Sequence, residues 1–211
     1  MLDALHNLLN SFARRGQETV FDLRAELTLF AAEFTLRLTL GDDARTFNVE
    51  EALRIRDHNG QLYNAPAVWD SVPWLGKTLL RKARKRYADS YRKAADPYRP
   101  IMRKRLLHFD PDAEARDYLD VLLQHVKRGE LNEDQVATML ASDFFIAGTD
   151  TATAALEWII GLLFQAPSEK LERLQKELDE LHAPITSLLT QDDLTPERVP
   201  YLYAVIKETF R

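Results

Sequence analysis

One stretch of this sequence is too long and too apolar to be a surface helix, and it constrains the fold more than any other. Asn132-Glu133-Asp134-Gln135 has the form of a capping box, with Asn132 as N-cap and Gln135 able to reach back to its amide. Nothing then stops a helix before Gln165, about 33 residues or roughly 50 Å at 1.5 Å per residue. From Met139 onward the helix is apolar on most sides, so it belongs in the middle of a domain with other helices packed around it. It is not a membrane span, because Asp150 and Glu157 break the most apolar part, residues 144–166.

The rest of the chain supplies the surrounding helices. Residues 1–15 put Leu2, Leu5, Leu8, Leu9 and Phe12 on one face, and Gly16 is a stop. Residues 20–40 repeat the pattern with Val20, Leu23, Leu27, Phe30, Phe34 and Leu38 as the expected inward face, ending at Gly41. A weaker helix is expected over 47–61, closed by Asn59-Gly60, before a loop bracketed by Pro66 and Pro73 that holds Trp69 and Trp74. A helical region over 77–107 is interrupted near Pro97 and Pro100. Further helices are expected over 118–126, ended by Gly129, over 169–182, from Thr195-Pro196 as N-cap and first position, and over 201–211. No segment of weight has strand period. The fold class is all-α, with residues 1–211 forming part of one domain.

Composition removes many functions. Lys and Arg total 28 against 33 Asp and Glu, a net charge of −5, which argues against general nucleic-acid binding. The chain has no cysteine, which excludes disulfides, thiolate metal sites and a cysteine nucleophile from within it. The five histidines show no metal-ligand spacing, so no metal site is expected. No phosphate loop, dinucleotide fingerprint, nucleophile elbow or zinc-protease motif occurs. Residues 77–107 hold twelve Lys and Arg against Asp89 and Asp96. The plain reading is a solvated helical face whose stems cover apolar surface, and the sharper one is a patch for an acidic partner or an anionic membrane.

One stretch inside the long helix breaks local rules repeatedly: Phe144-Phe145-Ile146-Ala147-Gly148-Thr149-Asp150-Thr151. Gly148 costs about 1 kcal/mol relative to alanine in a helix interior. Asp150 is expensive on a buried helix unless it is paired or faces water. Thr151 can donate to the Ala147 carbonyl, which bends helices. Such violations cluster at functional sites, but a helix–helix crossing made by small residues explains them equally well. Near the end, Glu208 and Arg211 stand three residues apart on one helix face.

Together these segments resemble the cytochrome P450 family. Ala147-Gly148-Thr149-Asp150-Thr151 is similar to the A-G-x-D-T segment of the family's central helix, and Glu208-Thr209-Phe210-Arg211 to its E-x-x-R. Gln175-Lys176-Glu177-Leu178, Val199-Pro200-Tyr201-Leu202 and Asp117-Tyr118-Leu119-Asp120-Val121-Leu122-Leu123 fit the intervening and preceding family segments of the eukaryotic microsomal type. The likeness is strong over 117–211 and looser before, and it implies a chain running from the D to the K helix of the family. It further implies a haem-thiolate monooxygenase carrying haem b, served by NADPH-cytochrome P450 reductase at the endoplasmic reticulum membrane and acting on a small apolar substrate. In that setting Ala147, Gly148 and Thr151 would lie at the distal haem face, with Ala147 and Gly148 leaving room for dioxygen. Asp150 and Thr151 would handle the protons, Phe144 and Ala147 would face substrate, and Glu208 with Arg211 would form a structural ion pair. The resemblance also implies that the axial cysteine, the membrane anchor and the sheets lie outside these residues. The isolated chain is therefore expected to be inactive. The alternative is a catalytically dead helical remnant that serves as a binding or scaffold module.

Overall fold

In the computed structural model, residues 2–15, 20–63, 74, 78, 81–181 and 191–211 are described. Among them there are helices and turns and no strands. In chain order these are α1 (Leu2–Arg15), α2 (Leu23–Leu40), a 3₁₀ turn (Gly41–Thr46), α3 (Val49–Tyr63), α4 (Arg81–Ala95), α5 (Tyr98–Leu106) and α6 (Tyr118–Lys127). The long run follows as α7 (Glu133–Met139), a π-helical segment (Leu140–Ile146) and α8 (Ala147–Gln165), and then come α9 (Ser168–Asp179), a second 3₁₀ turn (Gln191–Leu194) and α10 (Pro200–Thr209). The chain forms two compact units, one of residues 28–150, the other of residues 2–27 and 151–211. The loop expected at Trp69 lies outside the described residues, as does His182.

The first unit owns a continuous core. Leu36 and Leu40 of α2, Tyr98 and Met102 of α5, Leu119 and Leu123 of α6, Val136 of α7 and Leu140 and Phe145 of the π segment are all buried together. Phe47, Tyr98 and Phe145 form an aromatic trio with ring centroids 4.7 to 6.5 Å apart, within the range where edge-to-face and tilted pairs add to area burial. The capping box forms as the sequence indicates: Gln135 N–H donates to Asn132 Oδ1 and Asn132 N–H to Gln135 Oε1, both at 2.9 Å.

Arg105 ties four segments of this unit together. Its Nη2 donates to the Leu40 carbonyl at 2.6 Å, its Nε to Asp43 at 2.9 Å, and its Nη1 to both oxygens of Asp117 at 2.6 Å and to Asp120 at 3.3 Å. Asp117 in turn caps α6 by accepting from Asp120 N–H, and Arg116 grips Asp120 at 2.7 Å. Burial alone would raise the Asp120 pKa, but hydrogen bonds from the side chain and backbone of Arg116 and the charge of Arg105 outweigh it and hold the carboxyl below its usual range. Gly41 sits beside this cluster with φ +57°, and a Cβ there would come within 2.5 Å of Asp117 Oδ2, so backbone and space both require glycine.

The second unit buries far less. Ala4, Leu27, Thr153, Leu174 and Val199 are its buried side chains among the described residues, while Trp158, Leu162, Phe164 and Phe210 stay exposed. α9 packs on α10, and the groove that they form with the end of α8 has a volume of about 760 Å³. Glu177 of α9 accepts from the amides of Tyr201 and Leu202 at 2.7 and 2.8 Å, and Arg173 stacks over the Tyr201 ring at 4.2 Å. α10 has no side-chain cap of its own, so Glu177 supplies the anion that its positive end favours.

Four expectations need correction. α2 starts at Leu23 rather than at residue 20; Val20 is 98% exposed, and Asp22 opens the helix by accepting from Ala25 N–H. Of the inward residues named from the sequence only Leu27 is fully buried, and the buried side is turned toward smaller residues. Leu27, Thr28, Ala31, Ala32, Thr35, Leu36, Thr39 and Leu40 are buried, whereas Leu38 is exposed, because small side chains are what a close helix crossing accommodates. α3 runs through Asn59-Gly60 to Tyr63. Thr195-Pro196 begins no helix: the Thr195 carbonyl accepts from the amides of Arg198 and Val199 in a turn, and α10 begins at Pro200, whose missing N–H costs nothing at a first helical position.

Candidate functional site

The site residues follow directly on a change in helix geometry. Between Leu140 and Ile146 the backbone hydrogen bonds widen to the i+5 pattern, and α-helical bonding resumes at Ala147. Such π segments are rare in helices and recur at functional sites. The widening lies immediately before the Ala147–Thr151 stretch, not at the Thr151 to Ala147 step that the sequence singled out.

The five residues then divide by helix face. Ala147, Asp150 and Thr151 are exposed, Gly148 is half-buried, and Thr149 is fully buried. Gly148 is small because a Cβ there would meet Thr35 Cγ2 and Oγ1 of α2 at 3.0 Å. Thr28, Ala31, Thr35 and Thr39 lie on one buried side of α2 at helical spacing, and Thr35 of that row is the residue that meets Gly148, as the small-residue reading of the sequence requires. Ala147 and Thr151, four residues apart on α8, lie on the side left open. Phe144, half-buried, packs against Tyr118 at the start of α6, with ring centroids 4.9 Å apart and the planes tilted by 50°.

Asp150 is paired. Arg56 of α3, whose side chain is 15% exposed, donates from Nη1 to Asp150 Oδ1 at 3.2 Å and from Nε and Nη2 to Asp57 at 2.9 and 2.6 Å. Sequence reasoning missed Arg56. Ninety-four residues separate it from Asp150, and an arginine at the middle of an amphipathic helix carries no local signal. It missed the capping role of Glu177 as well. Glu208 and Arg211 meet at 3.5 Å in the second unit, with side chains 70% and 81% exposed. As an exposed pair at i, i+3 it contributes little to stability in this chain.

A haem, if held, would find its distal wall here and no more. Ala147 and Thr151 offer a small side chain and a hydroxyl on an open helix face, which fits a flat macrocycle and its oxygen ligand. Gly148 does not contribute to that fit, since its Cβ direction is filled by Thr35. No residue of this chain can supply a thiolate.

The cytochrome P450 family model matches residues 2–211, nearly the whole sequence. The chain belongs to the cytochrome P450 family. Among its relatives are Inactive cytochrome P450 76AD1 of Beta vulgaris, 34% identical over 69% of this chain and 34% of the relative, and Cytochrome P450 76M5 of Oryza sativa subsp. japonica, 31% identical over 77% and 31%. Cytochrome P450 71A2 of Solanum melongena is 39% identical over 53% of this chain and 22% of the relative. The chain thus spans about a third or less of the length of the curated relatives that it matches. No helix among the described residues is long and apolar enough to cross a membrane.

Proposed function

We propose that these residues form the distal half of a haem-thiolate monooxygenase, and that the complete protein inserts one oxygen atom from O2 into a small apolar molecule. The observation that carries this reading is the open face of α8, with Ala147 and Thr151 one turn apart directly after the π segment. Bound haem would supply oxygen activation, and a thiolate from outside this chain would set its reactivity. The chain's own residues would do the remaining work. Ala147 leaves space above the helix, and Thr151 offers a hydroxyl that donates and accepts in the same position. Asp150, beside it in sequence, would exchange protons with solvent, and Arg56 would fix the direction of its carboxylate. Phe144, backed by Tyr118, would form an apolar wall for the substrate. Glu208 and Arg211 would become buried once the rest of the protein covers α10. Electrons would come from NADPH-cytochrome P450 reductase, at the endoplasmic reticulum membrane.

A second reading is a helical remnant without catalysis, which binds or scaffolds. The absence of cysteine from the chain and the exposed apolar side chains of the second unit favour it, and one relative carries the word inactive in its name. Optical spectroscopy separates the two. The complete protein, reduced and exposed to carbon monoxide, should give a thiolate-type Soret band, and the 211-residue chain should give none. In the complete protein Thr151→Ala should keep that band while wasting NADPH on reduced oxygen species. A protein that ends within these residues and binds no haem would establish the remnant instead.

A further inference from the structure

Where the long helical run carries the candidate site, one line of its side chains stays open. Over residues 139–151 the exposed positions are Asp143, Ala147, Asp150 and Thr151, at helical spacing. Ala137, Ala141, Phe145 and Thr149, each four residues from the next, make the buried line on the other side. Asp143 therefore continues the open face of Ala147 back by one turn, into the π segment. Its neighbours along that face are apolar: Met139 stands four residues before it, Ile146 three after and Ala147 four after. Met139 and Ile146 are partly buried against the core of the first unit.

The two acids of that line are held differently. Asp150 is paired with Arg56. The Asp143 carboxylate has one polar contact among the described residues, the Ser142 hydroxyl at 2.7 Å, and the same hydroxyl lies 2.9 Å from the Thr138 carbonyl. A hydroxyl has a single proton to donate, so Asp143 shares it with a backbone oxygen. No lysine, arginine or histidine among the described residues pairs with this carboxylate. Since a carboxylate has about four acceptor sites, most of its capacity is left to solvent. Such an acid is cheap only while water reaches it. Enclosed among apolar side chains, it becomes costly unless a cation meets it.

We infer that Asp143 selects the substrate, by binding a protonated amine carried on an otherwise apolar molecule. This rests on the monooxygenase reading, which makes the open face one wall of an enclosed substrate space and by itself asks only for a small apolar molecule. A lone carboxylate set among Met139, Ile146 and Ala147 adds one demand to that wall. The apolar body lies against those three side chains, and the ammonium donates to Asp143 in a charge-assisted hydrogen bond, roughly twice as strong as a neutral one. The nitrogen then stands about 6 Å along the helix from Ala147, at 1.5 Å per residue. The carbon presented beside Ala147 and Thr151 is therefore several bonds away from the nitrogen rather than the carbon that bears it.

The test is equilibrium dialysis of the complete protein with two probes of one shape: N-methyl-phenylbutylamine, cationic at neutral pH, and the uncharged phenylbutyl methyl ether. The amine should bind at least about tenfold more tightly than the ether. Asp143→Asn, which keeps the shape of the side chain, should weaken the amine on the order of 10- to 100-fold and leave both the ether and the thermal melt unchanged. Asp143→Glu should keep the preference for the amine. Asp112→Asn, the same loss of charge from the loop before α6, should change neither probe. Equal affinity of the original protein for amine and ether would overturn the proposal, and so would an equal fall of both probes in Asp143→Asn, which would make Asp143 a structural residue. The carbon monoxide spectrum separates this from the reading beneath it. A thiolate-type Soret band without amine preference removes the Asp143 assignment alone, whereas amine preference without that band removes the monooxygenase reading and leaves the amine site.

Discussion

The two compact units handle the same apolar-rich composition in opposite ways. The first, residues 28–150, encloses an aromatic trio and seats its buried arginine among three aspartates and a carbonyl. The second, residues 2–27 and 151–211, holds its helices together with a carboxylate on two amides and a cation over a ring, and leaves Trp158, Leu162 and Phe164 of α8 in solvent. The long helical run passes from one regime into the other: Leu140 and Phe145 are buried, and Phe164 is 83% exposed. A helix that is apolar all round needs cover all round, and the described residues provide it only for the first half. The first unit is therefore where stability should reside.

The largest effect should come from Arg105. Replacing it with methionine leaves Asp43, Asp117 and Asp120 facing one another, and removing one partner of a buried charge cluster costs about 3–5 kcal/mol. Denaturant melts should show that loss. Acid attacks the same place from the other side. The Asp120 carboxyl is depressed in the folded state, so its contribution is present above the unfolded carboxylate value of about 3.9 and disappears as pH falls through the lower folded one. Melting temperature should therefore drop below roughly that pH in the original protein, and less so in the methionine variant. No such difference between the two would sever the cluster from stability.

Next comes a matched pair of truncations. Phe145→Ala removes a buried ring from the trio and should cost about 3–5 kcal/mol. Phe164→Ala removes an exposed ring from the same helical run and should change stability by less than about 0.5 kcal/mol while reducing the binding of hydrophobic dyes. A large loss from the second would erase the contrast between units. Glu177→Ala should cost about 1 kcal/mol and speed hydrogen exchange at the Tyr201 and Leu202 amides, since its carboxylate accepts from both at the helix end. The smallest effect belongs to Tyr98. Its hydroxyl is buried without a hydrogen-bond partner among the described residues, and burial pushes its pKa up. Tyr98→Phe should leave stability unchanged or raise it by up to about 1 kcal/mol, and a clear loss would reveal a bonded water.

Much of this was legible because it is written locally. The capping box at Asn132, the break before Pro97 and the continuity to Gln165 each depend on residues within a few positions of one another. The buried side of α2 was not, because the choice between Leu38 and Thr35 is made by Gly148, over a hundred positions away. The same holds at the candidate site. The unusual residues of 147–151 stood out from their neighbours, but which side each would face depended on where α2 and α3 cross. Gly148 stood out as room for a ligand, and a Cβ at that position would meet Thr35 of α2 at 3.0 Å. Asp150 needed a partner or water by its sequence, and which partner could not be read there: it is Arg56 of α3. The π segment had no warning in sequence, since Leu140–Ile146 is unremarkable helix-forming composition apart from Ser142 and Asp143.

The grip of Glu177 on the first amides of α10 sets the register of that helix from α9 rather than from the chain that joins them. Insertions or deletions between Leu181 and Gln191 can then lengthen or shorten the connection without rotating Glu208 and Arg211 about the helix axis. Diversity in that stretch carries no penalty for whatever docks against them.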